Sequence, residues 1–394
     1  MKVLLGISGG IAVYKALDIV STLRKRRDEI KVLMTENATK FVSPLTFSSV
    51  GNTEVFVNAF EFKEFIPHTA LSSWADILIV APATANTIAK LAYGIADNIV
   101  TMTSLAFNGP KLIVPSMNVR MYENPVTMEN MAKLSKLGWK IIEPDTGHLA
   151  DGEYGKGRYP SNERIIFEID NEFSKKDLSA LRILVSAGPT REAIDPVRYI
   201  TNRSSGKMGY AIARAAIMRG AEVDLVSGPV NLEVPFGVKK YDVESAEEMG
   251  KAIFELSKKV DLIIMSAAVA DYKPSKIEPQ KIKKVSDELD LHLTRTVDIL
   301  DELSKIKKPD QFIVGFAAET ENIVENSKRK LESKKIDMII ANDVSRKDIG
   351  FDSNYDEVDV FFKEAQPVHI DRMDKNSLAN KLLDLIVEQR CKRI

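Results

Sequence analysis

The sequence predicts an α/β protein built from two doubly wound domains in tandem. Short β-branched runs alternate with longer segments of helical period, the pattern of parallel βαβ units. That pattern stops at a charged stretch in mid-chain and then starts again. At 394 residues the chain also exceeds what one hydrophobic core usually serves.

In the first half VLLGI, IKVLM, DILIVAP and KLIVPS read as buried strands, each followed by a helical stretch such as Ala12 to Arg26 or Thr84 to Tyr93. The second half restarts with RILVSAGPT and continues through AEVDLVSG, VDLIIMSA, QFIVGFA and IDMIIAN. Between them ERIIFEIDNEFSKKDLSA reads as a charged helical connector, which places the boundary near Lys175 to Leu181 and the domains at 1–178 and 179–394. The halves are not an evident repeat, although each opens strand, Gly-containing turn, helix.

Composition narrows the function. The 44% apolar and 28% charged content fits a globular fold, and 55 Lys+Arg against 56 Asp+Glu leaves a formal charge of -1. Such a balance argues against a general polyanion binder, so no nucleic-acid partner is expected and any phosphate site must be local. The single cysteine, Cys391, excludes internal disulfides and suggests a reducing compartment. No stretch approaches the roughly 20 apolar residues that span a bilayer, and the N-terminus lacks an export pattern. A cytoplasmic enzyme with no membrane partner is expected.

In doubly wound sheets ligands sit at the carboxyl ends of the strands. After the first strand, GISGGIAVYKA puts Ser8, Gly9 and Gly10 before a helix, where free amides and the positive helix end can hold a phosphate. A Gly-Gly turn is also an ordinary loop, and the G-x-G-x-x-G dinucleotide pattern is missing. The second strand ends in Met34-Thr35. The third ends in APATANT, where Thr84, Asn86 and Thr87 offer hydroxyls and an amide or serve as helix caps. The fourth runs into VPSMNVRMYENP, with Ser116, Asn118, Met121 and Tyr122. His68, in FIPHTALSSWAD, is one of four histidines.

The ordered set of His68, APATANT, PSMN and GHLADGEYGKGRYP resembles the flavin-dependent cysteine decarboxylases over nearly all of residues 1 to 175. The resemblance implies an FMN-binding Rossmann-like domain in which FMN takes a hydride from a cysteinyl substrate, and the resulting thioaldehyde lets the carboxylate leave as carbon dioxide. It implies further that Ser8, Gly9, Gly10, Thr35, Thr84, Asn86, Thr87 and Ser116 surround FMN. His68 would assist proton removal, Asn118 would hold the substrate carboxylate, and residues 145 to 160 would close as a lid. The phosphopantothenoylcysteine decarboxylases then return the hydride to the enethiol, with a lid cysteine as proton donor. Here Leu149-Ala150-Asp151-Gly152 replaces the usual Leu-Ala-Cys-Gly, and Ser116 stands where alanine is more usual. Asp151 is expected to donate that proton in the cysteine's place, which requires surroundings that raise its pKa from about 3.9 toward neutrality, or else to be only a residue of the lid loop.

In the second half SAGPTREAIDPVRYITNRSSGKMGYAIARAA ends a strand at Gly188-Pro189 and opens a helix after Ser204-Ser205-Gly206, a hydroxyl and amide cluster suited to phosphate. It is no Walker A motif, and a capped Gly-rich helix start is the plain alternative. With SAAVADYKP, PQKIKK, VGFAAET and IIANDV it resembles phosphopantothenate-cysteine ligase from about residue 182 to 365. The bacterial form of that family activates the phosphopantothenate carboxylate on the α-phosphate of CTP, and the amine of L-cysteine then displaces CMP. Cations set in advance favour such a step; motif position points to Lys281, Lys330 and Lys334, the last two sharing a helix face or simply forming a solvated basic face. The resemblance also implies Asp271 as the contact for Mg²⁺ or nucleotide. It gives Asn202 the breakdown of the acyl-cytidylate, and Asp298, Ile299 and Phe316 the surround of the nucleotide.

The halves together resemble the bifunctional phosphopantothenoylcysteine decarboxylase / phosphopantothenate-cysteine ligases of coenzyme A biosynthesis. Members assemble as homo-oligomers with sites completed across subunits. Two other readings compete: a working ligase whose flavin domain is impaired by Asp151, and a nicotinamide oxidoreductase on tandem Rossmann domains, disfavoured by the missing glycine pattern.

Overall fold

The computed structural model describes residues 1–60, 66–283, 289–319, 323–334, 336–343, 346, 348, 350, 352–363 and 365–393. The chain divides into two compact units, Met1–Phe173 and Ser174–Ile394.

The first unit is a six-stranded parallel sheet of β1 (Lys2–Ile7), β2 (Glu29–Met34), β3 (Val55–Phe56), β4 (Ile77–Ala83), β5 (Lys111–Pro115) and β6 (Trp139–Ile141), in the order β3-β2-β1-β4-β5-β6. Alternation along β1 explains the layers. Val3, Leu5 and Ile7 face one apolar cluster with Ile19, Val20 and Leu23 of the helix Ala16–Lys25. Leu4 faces the other, with Val80, Ile88 and Val100. Both faces are covered, so these strands read as continuous apolar runs. Each fully buried aliphatic side chain contributes about 1.5–3 kcal/mol. An antiparallel hairpin, β7 (Asp145–His148) and β8 (Tyr154–Arg158), follows, and the helix Asn162–Phe173 closes the unit.

The second unit repeats the winding. Its main sheet holds β9 (Arg182–Ala187), while the hairpin β10 (Arg191–Ala193) and β11 (Tyr199–Thr201) stands apart. The sheet continues with β12 (Glu222–Ser227), β13 (Lys239–Asp242) and β14 (Leu262–Met265). A second small hairpin is β15 (Tyr272–Pro274) with β16 (Leu293–Arg295). Then come β17 (Phe312–Glu319), β18 (Met338–Asp343), β19 (Tyr355–Phe362) and β20 (Val368–Asp374), giving the order β13-β12-β9-β14-β17-β18-β19-β20. The last two strands add antiparallel to a parallel sheet, an addition that the apolar runs do not announce.

The connector divides unevenly. Residues 174–178 go with the second unit because Leu178 is fully buried in its core, Ser174 Oγ donates to Met218 O at 2.6 Å, and Arg219 forks onto Asp177 at 2.8 and 2.6 Å. The division therefore falls a few residues before the expected 178/179.

Candidate functional sites

Each sheet reverses its strand order between its first and fourth strands, β1/β4 and β9/β14. The loops leaving these strands diverge, one to each face, and open a crevice.

In the first unit this crevice is a cavity of about 910 Å³ lined by Gly9, Gly10, Thr84, Ser116, Asn118 and the lid residues Leu149 to Asp151, among others. A Cβ on Gly9 would lie 2.5 Å from Asn37 Cβ, so only glycine lets this loop run beside the helix Glu36–Thr39. Thr84 lines the cavity while its Oγ1 caps the helix Ala85–Tyr93 by accepting from Thr87 N at 3.3 Å. Ser116 Oγ reaches Gly157 O at 3.4 Å.

Other expected residues turn elsewhere. Ser8 is 1% exposed: its N–H and Oγ both donate to Pro82 O, and its Oγ accepts from Thr84 N at 2.8 Å. Ser8 thus ties β1 to β4 and keeps its polar groups inside the protein. Thr35 caps the helix Glu36–Thr39 through Ala38 N. Thr87 is buried, Asn86 is exposed, and none of Thr35, Asn86, Thr87 or His68 lines this cavity. His68 stands in the first turn of the helix Pro67–Trp74.

The lid residue departs from expectation. Asn118 Nδ2 donates to Asp151 Oδ2 at 2.5 Å and to Glu153 Oε2 at 3.0 Å, and Arg120 pairs with Glu153 at 2.5 Å. The Asn118 hydrogen bond holds the exposed Asp151 carboxyl below its ordinary value, opposite to the rise that proton donation requires. In this arrangement Asp151 is an ionised acceptor on the amide expected to take a substrate carboxylate.

Lys15 and Arg158 also line the cavity. Burial, then the Arg158 guanidinium, push the Lys15 ammonium below its ordinary value. Two cations, the helix start after Gly10, and the flanking Met117, Met121 and Tyr14 suit a group with a flat apolar part and an anionic tail. Lys15 lies inside GISGGIAVYKA and Arg158 inside GHLADGEYGKGRYP, where charge alone does not set them apart from the chain's other surface cations.

In the second unit two adjoining cavities, about 410 and 510 Å³, share Asp271 and Phe316. The first holds Asn202 and Lys330; the second holds Asp298 and Ile299. Asn202 Nδ2 donates to Ala268 O at 3.0 Å and Val269 O at 3.2 Å, fastening the segment after β11 to that after β14. Gly206, at φ +76, starts the helix Lys207–Met218 in a left-handed conformation that a side chain would strain. Asp298 caps the helix Ile299–Ile306 through Asp301 N at 3.0 Å and pairs with Lys334. Lys281 is exposed and lines neither cavity.

The larger surprise is a buried ion pair in the first of these cavities. Lys375 is 6% and Asp356 3% exposed, 3.9 Å apart, with Lys375 Nζ donating to Gly350 O at 2.7 Å. Burial lowers the Lys375 ammonium and raises the Asp356 carboxyl. Beside them Lys207 Nζ donates to Asp352 O at 2.6 Å, and Asn342 Oδ1 is buried with no hydrogen-bond partner among the described residues. Among the described residues no group of three or more His, Cys, Asp or Glu could hold a metal by itself. A cation at Asp271 would be held chiefly by the phosphates of its ligand.

Comparison with known proteins agrees with this two-unit anatomy. A family model described as Flavoprotein matches residues 1–174, and one described as DNA/pantothenate metabolism flavoprotein C-terminal domain matches residues 178–389. The chain is 44% identical over 391 residues to the coenzyme A biosynthesis bifunctional protein CoaBC of Bacillus subtilis, covering 98% of this chain and 96% of that one. It is 43% identical over 369 residues to the same-named protein of Vibrio vulnificus (93% and 92% covered). Against that of Escherichia coli K12 it is 41% identical over 392 residues (98% and 96%). Because the likeness runs through both units and both crevices at such identity, the chain belongs to the family of the bifunctional CoaBC proteins of coenzyme A biosynthesis.

Proposed function

We propose that this chain carries out two successive steps of coenzyme A synthesis. The second unit joins phosphopantothenate to L-cysteine at the expense of CTP, and the first unit decarboxylates the resulting phosphopantothenoylcysteine to phosphopantetheine. The observation that carries this reading is the family likeness across nearly the whole chain, with a cavity at the switch point of each matched unit.

In the ligase unit phosphopantothenate and CTP meet along the paired cavities. The carboxylate attacks the α-phosphate, pyrophosphate leaves, and the amine of cysteine displaces CMP from the acyl-cytidylate. Asp271 holds Mg²⁺ together with the triphosphate oxygens. Lys330 faces the developing phosphate charge from the cavity wall. Asn202, held by two carbonyls, directs breakdown of the acyl-cytidylate, and Asp298, Ile299 and Phe316 surround the nucleotide. Lys281 and Lys334 add charge to the leaving pyrophosphate. Lys281 lies outside its own unit's cavities, which accords with a homo-oligomer in which a neighbouring copy completes each site.

In the decarboxylase unit bound FMN supplies the two-electron acceptor and donor for the cysteinyl carbon and sulfur. The helix start after Gly10, with Lys15 and Arg158, attracts phosphate, while Thr84 and Ser116 line the cavity beside it. Asn118 orients the substrate carboxylate once Asp151 and Glu153 yield it. The β7-β8 hairpin excludes water. His68 assists proton removal, delivered, like Lys281, from a neighbouring copy. The lowered pKa of Asp151 favours one variation: carbon dioxide is released, but return of the hydride to the enethiol is slowed because the lid supplies no ready proton. The reducing cytoplasm suits a chain with one exposed cysteine.

The test is incubation with phosphopantothenate, cysteine, Mg²⁺ and each nucleoside triphosphate in turn, with mass analysis of the products. Phosphopantothenoylcysteine formed best with CTP, followed by phosphopantetheine, is the expected result. Absence of both products with every triphosphate would overturn the reading.

A further inference from the structure

The turn between β10 and β11 carries a carboxylate that neither cavity uses. Asp195 is 3% exposed and accepts five hydrogen bonds. Its Oδ1 takes Val197 N and Arg198 N, each at 2.8 Å, which is ordinary turn chemistry. Its Oδ2 takes the Arg198 guanidinium through Nε at 3.0 Å and Nη2 at 2.5 Å, together with Ile282 N at 3.1 Å. Arg198 Nη2 in turn donates to Ile282 O at 2.9 Å. Both polar groups of one residue are therefore gripped by the same ion pair, 87 positions away for Asp195 and 84 for Arg198. Glu278 N donating to Ile194 O at 3.0 Å fastens the same segment a second time.

A turn that only stabilised itself would need the two Oδ1 bonds and nothing more. The Asp195 Oδ2 also takes the N–H of Ile282, and the Arg198 it holds donates to the Ile282 carbonyl, both on the residue next to Lys281 in a stretch without helix or strand. Charge-assisted and bidentate bonds set direction as well as energy, and a misplacement of about 1 Å at a reacting group costs about 10²-fold in rate. We propose that Asp195 is a positioning residue for the ligase step: through Arg198 and the Ile282 peptide it fixes where the Lys281 ammonium is presented. This rests on the reading of Lys281 given above.

The experiment uses the full-length chain. Asp195→Asn keeps size but places an NH₂ where Oδ2 or Oδ1 receives N–H donors, so one side of the clamp opens in either amide orientation. Expected are a 10- to 100-fold fall in kcat for CTP-dependent ligation, with KM for cysteine within about twofold, and faster hydrogen exchange at the Ile282 amide. Combined with Lys281→Arg, which keeps a positive charge at that position, the two losses should fall well short of multiplying, because both act through the group at position 281. If Asp195→Asn lowers the melting temperature of the ligase unit, the same cycle is run with Asp195→Glu, which keeps the charge and misplaces it. Losses that multiply, or ligation unchanged while Ile282 exchange accelerates, would overturn the clamp. A Lys281→Gln variant that ligates normally would instead remove the reading of Lys281 itself, which separates the two failures.

Discussion

Replacing Lys375 by Met tests the buried pair in the ligase cavity most directly. The perturbation leaves the Asp356 carboxylate, 3% exposed, with its opposite charge removed, while Met fills most of the lysine stem's volume. Removing one partner of a buried pair costs about 3–5 kcal/mol, because the surviving charge stays desolvated. For a unit of this size about 2–4 °C accompanies each kcal/mol, so the ligase transition should fall by about 6–20 °C. Calorimetry of the full chain reads this, the flavin unit serving as the internal reference. The sign with pH follows from Asp356, whose folded-state pKa burial already raises. A carboxyl with a raised folded pKa stabilises below its unfolded value and loses that contribution as pH rises through the folded value. Without Lys375 the rise is larger, so the deficit should grow between about pH 4 and neutrality. Adding Asp356→Asn should restore much of the loss, since a neutral pair leaves no buried charge. A Lys375→Met chain that melts within about 2 °C of its parent at pH 5 and pH 8 would refute the reasoning.

Gly9→Ala should deplete bound flavin, read from visible absorbance after purification, because its Cβ would sit 2.5 Å from Asn37 Cβ and force the cavity-lining loop away; a fully loaded variant would contradict the cradle. Asp151→Asn should leave the yield of saturated thiol within about twofold and lower KM for phosphopantothenoylcysteine severalfold, since an ionised carboxylate no longer competes for Asn118. A collapse in saturated thiol would restore proton donation to Asp151. Lys281→Gln should abolish ligation while leaving flavin absorbance and decarboxylation intact, as assays of each half-reaction would show. Parallel loss of both activities would argue against independent sites.

Much of the winding was legible because its signals are local. The apolar runs of β1, β4, β9 and β14 are buried on both faces, and that burial forces their composition. Glycines that end a strand and open a helix reveal themselves within a few residues, and so do caps such as Thr84. Strands β19 and β20 carry alternating polar residues, YDEVDVFF and VHIDRMD, so they lack the continuous apolar run that marks those four.

The sequence by itself determined that there are two parallel windings, that each places a Gly-rich turn at a strand end, and that the lid carries Asp151 where cysteine is usual. Only tertiary structure decided which polar groups line the cavities. Ser8 turns inward because Pro82, 74 positions away, offers its carbonyl. Lys375 meets Asp356, and Asp195 meets Ile282, through hydrogen bonds and charge that depend on separation in space, for which neighbourhood along the chain provides no measure. Periodicity reports how often a side chain must be apolar; it carries no information about which distant group a buried polar atom finds.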